Sequence, residues 1–175
     1  NVFYIGVDNP ISVSAVGVSS NELRVSGSGG GITLTPNGQS KWIARVSSPG
    51  VAKVTVSGGG LTQTFDFRVK AIPDPIARLN GETGGTIGNG TFKAQSGIFA
   101  ELDNFDFEAR CQIAGFTLVY APPREDLQEF TNVGQAFTGG ARNAVNPAKP
   151  GDTYYFNNVR AKCPGDNTPR KINPM

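Results

Sequence analysis

Two prolines one residue apart, Pro73 and Pro75 in Lys70-Ala71-Ile72-Pro73-Asp74-Pro75, constrain this chain more than any other feature. Each lacks a backbone N–H and pushes the preceding residue into extended geometry. Neither a helix nor a central strand runs through such a stretch, so it reads as a stiff, extended connector. The predicted organisation follows from it. Residues 1–72 form an immunoglobulin-like β-sandwich, 73–77 a stiff linker, and 78–175 a second C-terminal β domain. Ile72, Pro73, Asp74 and Pro75 are the structural linker residues. The predicted class is all-β with minor helical turns.

In the first segment short runs of Val, Ile, Thr and Phe alternate with polar residues, and turn residues punctuate them. Strands are predicted over residues 2–7, 11–15, 23–26, 31–35, 41–46, 52–57 and 64–70, with Asp8-Asn9-Pro10, Pro36-Asn37-Gly38 and Ser48-Pro49-Gly50 as turns. Phe65, Phe67 and Val69 share one face of their strand, and Asp66 and Arg68 share the other. That pattern marks a core-facing strand. Trp42 reads as a core anchor, with a rim position as the alternative.

The second segment is less regular. Its strongest extended run is 109–120, ended by Pro122-Pro123, and 153–161 is a second strand fed by the turn Lys149-Pro150-Gly151-Asp152. Helical turns are expected near 92–95 and 141–145. In 124–130 Glu125, Leu127 and Phe130 have the spacing of one helical turn, so this stretch reads as a short helix or a charged loop.

Much chemistry is excluded by what is missing. The chain has no His, which removes the commonest general base, the Ser/Cys–His pair and the commonest metal ligand. Two Cys are too few for the usual zinc patterns. The acidic cluster Glu101, Asp103, Asp106 and Glu108 lacks the dense oxygen spacing of a calcium loop, and strand alternation sends its members to opposite faces. Gly27–Gly31 and Gly58-Gly59-Gly60 lack the Gly-Lys-Ser/Thr of a phosphate loop and read as hairpin connections. No catalytic, cofactor-binding or metal residue is therefore assigned, and the expectation is a protein without enzymatic activity.

A net charge of +2 with no basic stripe gives no sign of nucleic-acid binding, and no apolar run is long enough to span a bilayer. Cys111 and Cys163 either form one disulfide, which fits an exported compartment, or remain two thiols in β-structure. The chain opens at Asn1-Val2-Phe3 without an initiator Met or leader pattern and stops at Pro174-Met175. It reads as a piece of a longer protein.

Several stretches, in order and spacing, resemble a known family. They are residues 2–11 (VFYIGVDNPI), 67–75 (FRVKAIPDP), 102–107 (LDNFDF), 149–153 (KPGDT) and 156–162 (FNNVRAK). Together they are similar to the C-terminal periplasmic region of the GldM/PorM proteins of gliding motility and type IX secretion, over essentially the whole chain. Two features depart from that family: cysteine is not usual at positions 111 and 163, and family members continue with a final strand.

The resemblance implies a non-catalytic segment of a homodimeric periplasmic shaft, without cofactor. An inner-membrane anchor and motor partner would lie N-terminal to these residues, and periplasmic and outer-membrane ring proteins would be contacted at the far end. These residues themselves would touch no membrane. An exported adhesin or carbohydrate-binding module is the rival reading, with Tyr4, Trp42, Tyr154 or Tyr155 as stacking platforms. A hydrolase built on the acidic cluster is a weaker one, because the four carboxylates do not converge.

Overall fold

The computed structural model describes residues 1–175 and divides them into two compact units. The first holds residues 1–72 together with 106–109 and 164–166, and the second holds 73–105, 110–163 and 167–175.

Seven strands build the first unit: β1 (Val2–Tyr4), β2 (Asn9–Ser12), β3 (Arg24–Ser28), β4 (Thr33–Pro36), β5 (Lys41–Arg45), β6 (Gly50–Gly58) and β7 (Leu61–Lys70). They form one sheet in the order β1-β7-β6-β3 and a second in the order β2-β5-β4. This is the immunoglobulin arrangement, in which B-E-D faces C-F-G and the first strand lies parallel on the last. The sequence dictates the central hairpin plainly. Gly59 and Gly60, at φ +59° and +78°, make the two-residue turn that a right-twisted hairpin favours. Ala52 and Val54 then point inward, while Lys53 meets Asp66 at 2.8 Å and Thr55 meets Thr64 at 3.1 Å on the outer face. Phe3 stacks on Phe67 with centroids 4.0 Å apart, over a small core of Ala44, Val46, Ala52, Val54 and Val69.

Between β1 and β2 the chain changes sheets, and a buried asparagine makes this workable. Asn9 accepts from the Tyr4 N–H through Oδ1 (2.9 Å), and its Nδ2 donates to the carbonyls of Tyr4, Val7 and Ala44 (3.0, 3.2 and 3.1 Å). The expected strand 2–7 therefore stops at Tyr4, and Asn9, expected in a turn, opens β2. Trp42 lies half-buried beside Ile11 and Pro36, outside the core cluster, so it takes the rim position.

The second unit contains β8 (Ile76–Arg78), α1 (Asn89–Lys93), β9 (Phe99–Glu101), β10 (Gln112–Ala121), β11 (Gln128–Val133), α2 (Gly139–Val145), β12 (Thr153–Lys162) and β13 (Arg170–Lys171). A four-stranded antiparallel sheet, β11-β10-β12-β13, carries both helices on one face, and β8 pairs with β9. Phe116, Leu118, Phe156 and Val159 from the sheet meet Ala141, Ala144 and Val145 from α2 and Phe92 from α1. Arg142 donates to the Gln95 and Lys93 carbonyls (both 2.9 Å), capping the end of α1 from α2.

In place of the helix or loop expected at 124–130, β11 begins at Gln128. Phe130 and Asn132 both face inward, a period of two that overrides the helical spacing of Leu127 and Phe130. Asn132 is 1% exposed. Its Nδ2 donates to the Gly134 and Ala136 carbonyls (3.2 and 2.9 Å), and its Oδ1 accepts from the Thr138 N–H (2.9 Å). These bonds fold the link from β11 to α2.

Cys111 and Cys163 are disulfide-bonded with Cα atoms 4.2 Å apart. Closing a loop with a sequence separation of 52 removes unfolded-chain entropy worth about 4 kcal/mol in the chain-entropy account.

Asn132→Ala leaves buried backbone groups without partners and is expected to destabilise the protein by about 2 kcal/mol. Asn37→Ala, at an exposed turn, should stay within about 0.5 kcal/mol of the parent. Urea denaturation of the two variants checks this.

Candidate functional surfaces

The charged clusters come first, because catalysis would need them. Glu101 and Asp103 both bind Arg78, with Nη1 3.0 Å from Glu101 and a bidentate pair of 2.9 and 2.8 Å to Asp103. The Arg78 guanidinium holds the Asp103 carboxyl below its ordinary value. Asp106 and Glu108 count with the first unit, Glu101 and Asp103 with the second. Only the first two carboxylates are brought together, and they meet an arginine. No three His, Cys, Asp or Glu side chains group to hold a metal ion.

The connector comes next. Residues 71–75 carry no regular structure, with Ile72 and Pro75 buried and Pro73 exposed. Asp74 is held by Arg170 at 3.0 Å.

The tyrosines proposed as platforms have separate fates. Tyr154 stacks on Tyr120 (4.7 Å, 10°) and donates to the Ala144 carbonyl at 2.7 Å, while Tyr120 donates to Asp152 at 2.9 Å. Asp152 also accepts the Lys149 N–H at 3.0 Å, so the turn that feeds β12 anchors this cluster. Burial pushes the Tyr154 phenol upward, and burial followed by the Asp152 hydrogen bond does the same to Tyr120. Both are structural. Tyr4 meets Phe107 edge-on at 5.2 Å, and of the four only Tyr155 stands well exposed.

Two surfaces remain open. In the first unit β1 pairs with β7 only at Arg68–Lys70, which leaves Leu61–Phe67 without a neighbour on that side. Beside this free edge lies a cavity of about 280 Å³, walled by Ile11, Val13, Leu23, Val56, Phe65 and Phe67 from both sheets. Leu61 is 75% exposed at its rim. In the second unit the sheet face away from the helices is partly open, although Val119 on it is buried. Val133, Thr131, Thr117, Asn157 and Tyr155 lie across three adjacent strands there. Half-apolar surfaces of this kind, the second carrying Glu129 beside Thr131, suit contact with another protein.

The sequence reading assigned Phe65 to the core and did not single out Leu61. No sequence signal marked it: the predicted strands 2–7 and 64–70 are of similar length, and only the structure shows β7 running for ten residues beside a three-residue β1.

Comparison with protein families places these surfaces in context. Residues 1–70 match the GldM third domain and residues 73–175 match the GldM C-terminal domain. The two matches meet at the proline connector. No individual curated protein matches the chain.

Two outcomes are expected. Phe3→Ala should cost about 3–5 kcal/mol, whereas Phe65→Ser, at a side chain 39% exposed, should cost less, about 1–3 kcal/mol, both read by urea denaturation. Asp103 has a lowered folded-state pKa, so its contribution is present above the unfolded value of about 3.9 and lost as pH falls through the lower one. The parent should accordingly outlast Asp103→Asn in urea at pH 7, and the gap between their midpoints should close on acidification below about pH 4.

Proposed function

Of this chain, which belongs to the GldM family, we propose that it serves as a non-catalytic segment of a periplasmic shaft in a gliding and type IX secretion motor. The double family match, third domain followed by C-terminal domain across the whole chain, carries this reading. The chemistry agrees with it. The chain has no histidine, no metal-ligand cluster, and a carboxylate pair that is neutralised by Arg78.

In this role the chain works through protein–protein contacts, linking an inner-membrane motor to an outer-membrane ring complex as a homodimer. Residues 72–75 serve as the stiff linker between a sandwich and a second β domain. Laterally hydrogen-bonded strands suit a part that must pass on displacement, since sliding one strand past the next breaks many bonds together. A two-fold pair is the commonest closed assembly and fits a shaft. No helix of the chain is long and apolar enough to cross a membrane.

The test is binding of the purified chain to the outer-membrane ring proteins of the same organism on a biosensor surface. Saturable binding at micromolar affinity or better is expected. A folded, dimeric chain that binds none of them would overturn the assignment of ring contact to these two domains.

A further inference from the structure

We propose that the Cys111–Cys163 disulfide is a redox-sensitive strap that holds two short segments of the chain against the turn after β1. The segments are Asp106–Ala109 and Pro164–Asp166. Both follow residues of the second unit in sequence, yet both count with the first. What they touch is specific. Phe107 packs edge-on to Tyr4. The Pro164–Gly165 peptide lies so close to Gly6 that a β-carbon there would collide with backbone, and Gly6 has φ +86° besides. Gly165, also at φ +86°, presses on Ile5 in return. The Tyr4-Ile5-Gly6 turn is thereby gripped from two directions by chain that arrives late in the sequence.

The disulfide sits at the root of both segments. Ala109 is separated from Cys111 by Arg110 alone, and Pro164 follows Cys163 directly. Gln112 and Lys162 are the last pair on this side of the β10–β12 ladder. Cys111 and Cys163 are the next residues outward, so the S–S bond adds a covalent rung where hydrogen bonding stops. The ladder continues on the other side from Gln112 to Ala121, with register shifts between Ile113 and Thr117 and regular pairing from Thr117 to Ala121. The disulfide therefore controls the segments more than the sheet.

Reduction is an exchange with a dithiol. Its thiolate attacks one sulfur to form a mixed disulfide, and its second thiol resolves this. The dithiol leaves oxidised by two electrons, and Cys111 and Cys163 each end as a protonated thiol. Both cysteines are buried, at 6% and 3% exposure, so the exchange needs an opening that brings one sulfur to solvent. Once reduced, the two segment roots are free to part, and the grip on Tyr4–Gly6 relaxes.

Amide chemical shifts in NMR spectra of the folded protein with and without dithiothreitol test this. The reporter is Ile5, whose N–H donates to the Lys70 carbonyl at 2.8 Å. The controls are Leu118 and Phe156, paired across the middle of the β10–β12 ladder. Reduction is expected to shift the Ile5 amide by several linewidths and to leave both controls in place, whatever it does to global stability. Cys111→Ser/Cys163→Ser should show the reduced spectrum and be indifferent to dithiothreitol. An unmoved Ile5 amide overturns the proposal. So does an equal shift at Leu118 and Phe156, or outright unfolding on reduction, because the bond would then be a general staple of the second unit.

Discussion

A β-structure of short strands must place its backbone N–H and C=O groups wherever a strand ends inside the protein, and two buried asparagines do this at the two most demanding points. Asn9 stands where the chain passes from one sheet of the sandwich to the other, a place where neither ladder can serve the carbonyls of Tyr4 and Val7. Asn132 stands where β11 gives way to the loop that leads to α2. An amide side chain carries both donors and an acceptor, so it imitates the missing strand. An apolar residue would fill the volume and strand several buried polar groups at a cost of roughly 1–3 kcal/mol each. The immunoglobulin order of strands and the seating of α2 on the sheet both depend on these contacts.

This dependence explains which parts of the fold could be read from sequence. The β6–β7 hairpin was legible because its signal is local: Ala52 and Val54 alternate with Lys53 and Thr55, and Gly59-Gly60 supplies the turn. The turn of helix at 141–145 was legible for the same reason. The start of β2 was not, because Asp8-Asn9-Pro10 has turn composition and only the distant Ala44 carbonyl reveals that Asn9 belongs in a sheet. The segment 124–130 misled in a similar way. Leu127 and Phe130 are three apart, as in a helix, but Leu127 turns to solvent and Phe130 is drawn inward beside α2, where Gly140 leaves room for its ring. Membership of residues 106–109 and 164–166 in the first unit was beyond reach, since no local pattern encodes a partner a hundred or more residues away.

Candidate functional residues followed the same rule. The absence of histidine is a compositional fact and was read without any structure. Tyr154, by contrast, looked available for stacking, and the turn predicted at 149–152 gave no warning that its Asp152 accepts from Tyr120, the ring on which Tyr154 stacks. A tyrosine alternating with polar residues in a strand can face either way, and only the helices on one side of the sheet decide it. Phe65 erred in the opposite direction. Its place in the Phe65–Phe67–Val69 series argued for burial, and its face is indeed the inner one, but the sandwich narrows toward Val69 and stands open at Leu61.

That opening raises the question of how a free β7 edge avoids pairing with other copies at random. The outer face of the same stretch answers part of it. Thr62, Thr64 and Asp66 alternate there, and Asp66 is paired with Lys53. A second copy laid antiparallel along this edge would set Asp66 against the other copy's strand and disturb the hydration of the Asp66–Lys53 pair. Charged residues on an edge strand discourage such pairing in natural sheets. The inner face carries no such guard: Leu61 and Phe65 lie beside an apolar cavity. The two faces of one strand are thus under opposite pressures. Casual edge pairing is penalised outside, while apolar surface is kept inside, where a packed core alone would have favoured closing the gap.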